Sequence, residues 1–109
     1  MPSLLHEREI QRQAARVDAY QETRARLQTA VRRHLPGQRV WLFGSLLECG
    51  RFHAASDVDL AVESLPPELS LYTLTALLDE ELGRPVDVVL LPESRLREKI
   101  LHQAESWIA

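Results

Sequence analysis

The chain has 109 residues, of which 45% are hydrophobic, and a formal net charge of −3. A length and composition of this kind suit one soluble domain, 1–109, with a modest core. No apolar run approaches the ~20 residues of a membrane span. Met1-Pro-Ser-Leu-Leu-His-Glu7 also lacks the basic start and long apolar stretch of a signal peptide. The expectation is a cytoplasmic protein without membrane contact.

The predicted elements follow in chain order. No Gly or Pro occurs between Ser3 and Leu35, and Ile10, Ala14, Val17, Tyr20, Leu27 and Val31 recur at helical steps, broken by Arg24. This spacing predicts an amphipathic helix over 1–35, ended by Pro36-Gly37. At 1.5 Å per residue it would be ~48 Å long, more than so small a core needs. Arg39–Phe43 is a short, mostly apolar strand candidate, followed by a turn from Gly44 to Gly50 that contains a possible helical turn starting at Ser45. Asp57–Val62 reads as the second strand. Pro66-Pro67 is expected to open a helix that runs to about Leu82 and is capped by Gly83. Val86–Leu91 is nearly all apolar, which predicts a central third strand stopped by Pro92. Glu93–Ile108 reads as a last helix with Leu96, Ile100, Ala104 and Trp107 as its stripe. Trp41 and Trp107 are expected to be packing residues.

Charge is unevenly spread. Residues 1–35 hold seven Arg against four acids, and residues 36–109 hold six basic residues against twelve acids. This is not the basic face of a nucleic-acid binder. The single cysteine, Cys49, excludes an internal disulfide and a cysteine-based zinc cluster. His6, His34 and His102 have no metal-ligand spacing.

The chemistry concentrates in the stretch from Gly44 to Leu60. Asp is depleted in strands, yet Asp57 and Asp59 stand two apart in a predicted strand and so share a face. Two like charges on one strand face do nothing for folding. They suit a hard divalent cation such as Mg²⁺, which takes one or two carboxylates and completes its shell with phosphates and water. The Gly44-Ser45 turn upstream offers backbone N–H groups and a hydroxyl to those phosphates. Ser45 has a second reading, as the cap of the short helix after the turn. Asp87 interrupts the third strand, where an unpaired carboxylate is costly. It meets the other two carboxylates if strands two and three are neighbours, or else it pairs with Arg84 or caps a backbone group. Ser56 reads as a turn residue, and Arg51 and His53 as exposed loop residues, with a phosphate contact as the second reading of each.

The pattern Gly44-Ser45, a glycine-containing loop, Ser56-Asp57-Val58-Asp59-Leu60 and a later Asp87 resembles the minimal nucleotidyltransferases (MNT domains) of the polymerase-β superfamily. The resemblance runs from about Val40 to the C-terminus and includes Leu82-Gly-Arg-Pro-Val-Asp-Val-Val89. It implies an α/β fold with a small mixed sheet, helices mainly on one face, and a catalytic core over 38–109. It also implies ATP as substrate, Gly44 and Ser45 at the triphosphate, and Asp57, Asp59 and Asp87 as catalytic residues holding one or two Mg²⁺ ions. MNT domains are often antitoxins of a helical HEPN ribonuclease, which implies AMP transfer to a tyrosine of that partner. Two alternatives stay open: a non-catalytic antitoxin that binds stoichiometrically, and a transferase acting on a small molecule. The chain departs from the family's pattern twice. Eleven residues separate Ser45 from Asp57, and Leu46-Leu47-Glu48 stands where many members place a basic residue. The long first helix is outside the resemblance. Its strip at 3–20, flanked by Arg8, Arg12 and Arg16, is expected to pack on another chain, either the toxin or a second copy in a homo-oligomer.

Overall fold

The computed structural model describes residues 3–53 and 55–109. Helix α1 runs over Leu4–His34, β1 over Arg39–Phe43, β2 over Val58–Val62, α2 over Leu71–Leu82, β3 over Val86–Leu90, α3 over Arg97–Gln103 and β4 over Glu105–Ile108. The four strands form one mixed sheet in the order β3-β2-β1-β4. Strand β1 is antiparallel to both β2 and β4, whereas β2 and β3 are parallel.

Strand alternation divides the sheet into two faces. Val40 and Leu42 of β1, Val58, Leu60 and Val62 of β2, and Val86 and Val88 of β3 all enter one core. Leu27, Ala30, Val31 and Leu35 from the end of α1 close over it, together with Leu74, Leu78 and Leu82 from α2. The intervening residues Trp41 and Ala61 face the other way, into a small cluster with Leu91 and with Ile100 of α3. The two longer helices thus cover one face, and the seven-residue α3 covers part of the other.

The first helix is as long as its composition predicts. Ser3 caps its start by accepting the His6 N–H at 3.1 Å. Residues from Ser3 to Asp18 are all exposed, and packing begins at Ala19 and Tyr20. Arg24 does not break the buried stripe. Its guanidinium lies 5.4 Å from the centre of the Tyr20 ring and 5.3 Å from that of Trp107, donates to the Leu46 carbonyl, and pairs with Glu105. The aliphatic stem of arginine and the flat face of its head make such a half-buried place tenable.

Three boundaries differ from expectation. Helix α2 begins at Leu71, because the Ser70 hydroxyl accepts the Thr73 N–H at 3.1 Å and caps it there. Pro66-Pro67 instead makes a turn closed by the Leu69 N–H on the Pro66 carbonyl. Strand β3 lies at the sheet's edge and not its centre, because β1 occupies the other side of β2. The last helix is short. After Ala104 the backbone becomes extended, and Glu105–Ile108 pairs with the free edge of β1. Trp107 is therefore a strand residue opposite Val40, packed on the main core. Gly83 caps α2 in the left-handed conformation with φ +68°, as expected.

Candidate active site on the open face of the sheet

Strand β1 ends at Phe43, and the chain turns at Gly44 with φ +76°, a conformation that side chains with a Cβ seldom adopt. Steric contact makes a second demand for glycine. A methyl group at position 44 would stand 2.2 Å from Oδ2 of Asp59. The turn and the carboxylate are thus in direct apposition, which follows from the pairing of Phe43 with Asp59 in the β1–β2 register. On the other side of β2, Asp59 is the register partner of Asp87 in β3. Asp57 immediately precedes β2, two residues before Asp59, so alternation directs it to the same face.

Asp57 and Asp87 are exposed, and Asp59 is half-buried between them. Burial first, then the charges of Asp87 and Asp57, hold the Asp59 carboxyl above its ordinary range. The ion pairs of the described residues draw on Glu9, Glu22, Glu81 and Glu105, not on these three aspartates. Among the described residues, no group of three or more His, Cys, Asp or Glu side chains is placed to hold a metal ion by itself. The donor set nevertheless fits Mg²⁺: hard carboxylate oxygens, and a mutual repulsion at Asp59 that a cation relieves. An ion that keeps water and phosphate oxygens in its shell needs no closed protein cage.

The loop that delivers Asp57 is fastened from below. Phe52 is fully buried, and the Arg84 guanidinium stacks 4.5 Å from its ring centre. Arg84 also donates to the carbonyls of His53 and Ser56, at 3.2 and 3.1 Å. It therefore anchors the loop and does not neutralise Asp87. Ser56 is buried, with its hydroxyl accepting the His53 N–H at 3.0 Å, which agrees with its reading as a turn residue. His53 is exposed and its Nδ1 accepts the Ala55 N–H. The cap of the short turn Gly44–Leu47 falls on Phe43 and involves no side chain, so Ser45 is not its cap and its half-buried hydroxyl serves no capping role.

Beside the Gly44 turn lies a cleft of about 210 Å³, lined by Phe43, Gly44, Leu47, Arg51, Leu96, Lys99, Ile100 and Gln103. Lys99 is the chain's only lysine. A continuous last helix hides this neighbourhood in the sequence; the isolated lysine in an arginine-rich chain was the available signal. A larger open groove, about 330 Å³, runs between α1 and α2 along Ala25, Arg26, Thr29, Arg33 and Glu81. It lies on the far side of the sheet from the aspartates, so size does not locate the chemistry here.

Residues 24–107 match the nucleotidyltransferase domain family. The chain belongs to this family. Among solved structures, the nucleotidyltransferase domain is similar to a toxin–antitoxin with AMP-PNP, at 26% identity and a TM-score of 0.61, over 78% of this chain and 73% of that one. It also shares its fold with the toxin–antitoxin MntA-HepT, at 23% identity and a TM-score of 0.59, over 82% of this chain and 73% of that one. No curated protein matches the chain. The nucleotidyltransferase match takes in β1, β2, β3 and all but the last residue of β4, and begins at Arg24, leaving the exposed part of α1 outside it.

Proposed function

We propose that this nucleotidyltransferase is the antitoxin of a toxin–antitoxin pair and transfers AMP from Mg·ATP to a tyrosine hydroxyl of a HEPN-type ribonuclease toxin. The observation that carries the reading is the register that sets the Gly44 turn against Asp59 and Asp59 beside Asp87. Likeness to a toxin–antitoxin with AMP-PNP supports both the nucleotide and the kind of partner. The chain would work as a single domain over 1–109 with its catalytic core at 38–109.

In this reading Gly44 and Ser45 receive the triphosphate through backbone N–H groups and the Ser45 hydroxyl. Asp57, Asp59 and Asp87 would hold Mg²⁺, which when bound would neutralise phosphate charge and polarise the reacting phosphorus. The tyrosine oxygen forms a bond to the α-phosphorus, the bond to the bridging α–β oxygen breaks, and pyrophosphate departs. Asp87, exposed on the edge strand, is the carboxylate placed to take the phenolic proton from an acceptor that arrives over the edge of the sheet. Most of the acceleration comes from positioning and charge neutralisation. Among the described residues no helix is long and apolar enough to cross a membrane; in this reading the pair works in the cytoplasm.

The exposed strip of α1, with Ile10 and Val17 continuing the line of the buried Leu27 and Val31, is the proposed seat of the toxin or of a second copy. That strip also supports the second reading, neutralisation by stoichiometric binding alone. Incubating the chain with the toxin, α-labelled ATP and Mg²⁺ separates the two. Label on a toxin tyrosine, absent with chelator and absent with Asp59→Asn, is the expected result. An unlabelled toxin that is still inhibited leaves binding alone.

A further inference from the structure

A triphosphate brings several negative charges to a face that already carries Asp57, Asp59 and Asp87. The residues that follow Ser45 offer no help, since Leu46 and Leu47 are apolar and Glu48 is acidic. Phosphate binding in a site of this sign requires cations from elsewhere in the fold. Two are present. Arg51, in the short turn Cys49–Arg51, and Lys99, in α3, both line the cleft that Gly44 and Phe43 open into. Both are exposed, and the ion pairs of the described residues do not use either of them. Asp87, Asp59 and the Gly44 turn follow one another across β3, β2 and the end of β1, and the cleft adjoins that turn on the face where Ile100 of α3 packs on Trp41 and Ala61.

We infer that the cleft between the Gly44 turn and α3 takes the polyphosphate of the nucleotide, with Lys99 and Arg51 as its cationic wall. This rests on the nucleotidyltransfer reading and adds to it Arg51, from the loop between the turn and the Asp57/Asp59 pair, and Lys99, from a helix far outside that stretch. It also accounts for the missing basic residue after Ser45: a compact charge on a flexible stem, Lys99, supplies from α3 what the turn lacks. The aspartates and the two cations then bracket the phosphates from opposite sides. An incoming hydroxyl is left the open edge at β3.

Calorimetric titration of the full chain with Mg·ATP and, separately, with Mg·tripolyphosphate tests the inference. Lys99→Ala and Arg51→Ala should each weaken both ligands by roughly tenfold, the effect of losing one charge-assisted contact of ordinary strength. Lys99→Arg should recover most of the loss, and raising the salt concentration should shrink the difference between wild type and the alanine variants. Melting temperatures without ligand should stay within about 2 °C of wild type, as expected for exposed side chains with no buried partners. If wild type binds Mg·ATP and the alanine variants bind it equally well, the cationic wall is wrong while the nucleotidyltransfer reading stands. If the variants lose ATP but keep tripolyphosphate, the two cations do not read phosphate and the inference again fails. If wild type binds neither ligand, both the inference and the reading beneath it fall.

Discussion

Asp59 and Leu60 are neighbours in β2 and meet opposite demands. Leu60 is fully buried among apolar side chains from α1, α2 and the flanking strands. Asp59 turns to the other face, keeps a half-buried charge beside two more, and presses against the backbone of Gly44. One face of the sheet maximises burial and the other accumulates a repulsion that a bound cation or a proton relieves. A strand that served folding alone would not keep the second arrangement. The contrast therefore separates residues that hold the structure together from residues that it supports at a cost.

The largest effect expected from that contrast is on transfer. Asp59→Asn should reduce AMP incorporation by roughly 10²–10³-fold or more, the scale of losing one well-placed electrostatic partner of the transition state. Full turnover in that variant would remove Asp59 from the site. Leu60→Ala, one residue along, should act through stability, lowering it by about 2–5 kcal/mol as buried leucine truncations do. Urea unfolding followed by circular dichroism reads this directly. A change in Leu60→Ala much below ~2 kcal/mol would mean that the covered face is less tightly packed than its burial indicates.

The pH dependence sharpens the same comparison. Burial and the charges of Asp87 and Asp57 raise the Asp59 pKa above its ordinary 3.8, so the folded chain holds this proton more tightly than the unfolded one. The stability tied to that proton is fully present below pH 3.8 and is lost as pH rises through the folded value. Glu81, across the sheet, has the opposite sign. Burial pulls its pKa upward, but hydrogen bonds and charges from His34 and Arg33 outweigh this and lower it from 4.5. Its contribution is present above 4.5 and is lost as pH falls through the folded value. The two trends overlap in the wild-type profile, so the difference between Asp59→Asn and wild type is the informative curve. It should favour the variant increasingly from about pH 4 upward and then level off. A difference that is flat with pH would show that neither burial nor the charges of Asp87 and Asp57 raise the Asp59 pKa.

The smallest effect on stability is expected at the far end of α1. Removing residues 1–18 takes away only exposed side chains among those described and spares Ala19 and Tyr20, where packing starts. Unfolding of the isolated chain should change by about 1 kcal/mol or less, while binding to the toxin or to a second copy is lost. A shortened chain that does not fold would make the distal helix part of the core.

Much of this arrangement was legible in the sequence because it depends on near neighbours. The Gly44-Ser45 turn, the Asp57/Asp59 alternation, the uninterrupted α1 and the Gly83 cap each use residues within a few positions of one another. The misreadings arise where distant segments decide. Glu105–Ile108 is four residues long and fits a helical stripe as readily as a strand; the free edge of β1, more than sixty positions earlier in the chain, settles it. The apolar run of β3 suggested a central strand, yet its place at the edge follows from where β1 pairs. Arg24 looked like a gap in the α1 stripe because the Trp107 ring that receives it comes from β4. Arg51 shares a loop with Gly44, whereas Lys99 joins them at the cleft only through the packing of α3 on the sheet.

The contact between position 44 and Asp59 also limits how this chain can drift. While Asp59 is present, any side chain at 44 collides with its carboxylate oxygen at 2.2 Å, so the glycine is not free to vary. Shortening or removing the aspartate lifts the collision and leaves only the positive φ as a restraint. Replacing the glycine therefore requires that the Asp59 carboxylate turn aside or be lost, and either change takes that oxygen from its present place. A homologue with a side chain at 44 and an aspartate at 59 should be rare, and one with glycine at 44 and no acid at 59 would be a chain caught midway through giving up its chemistry.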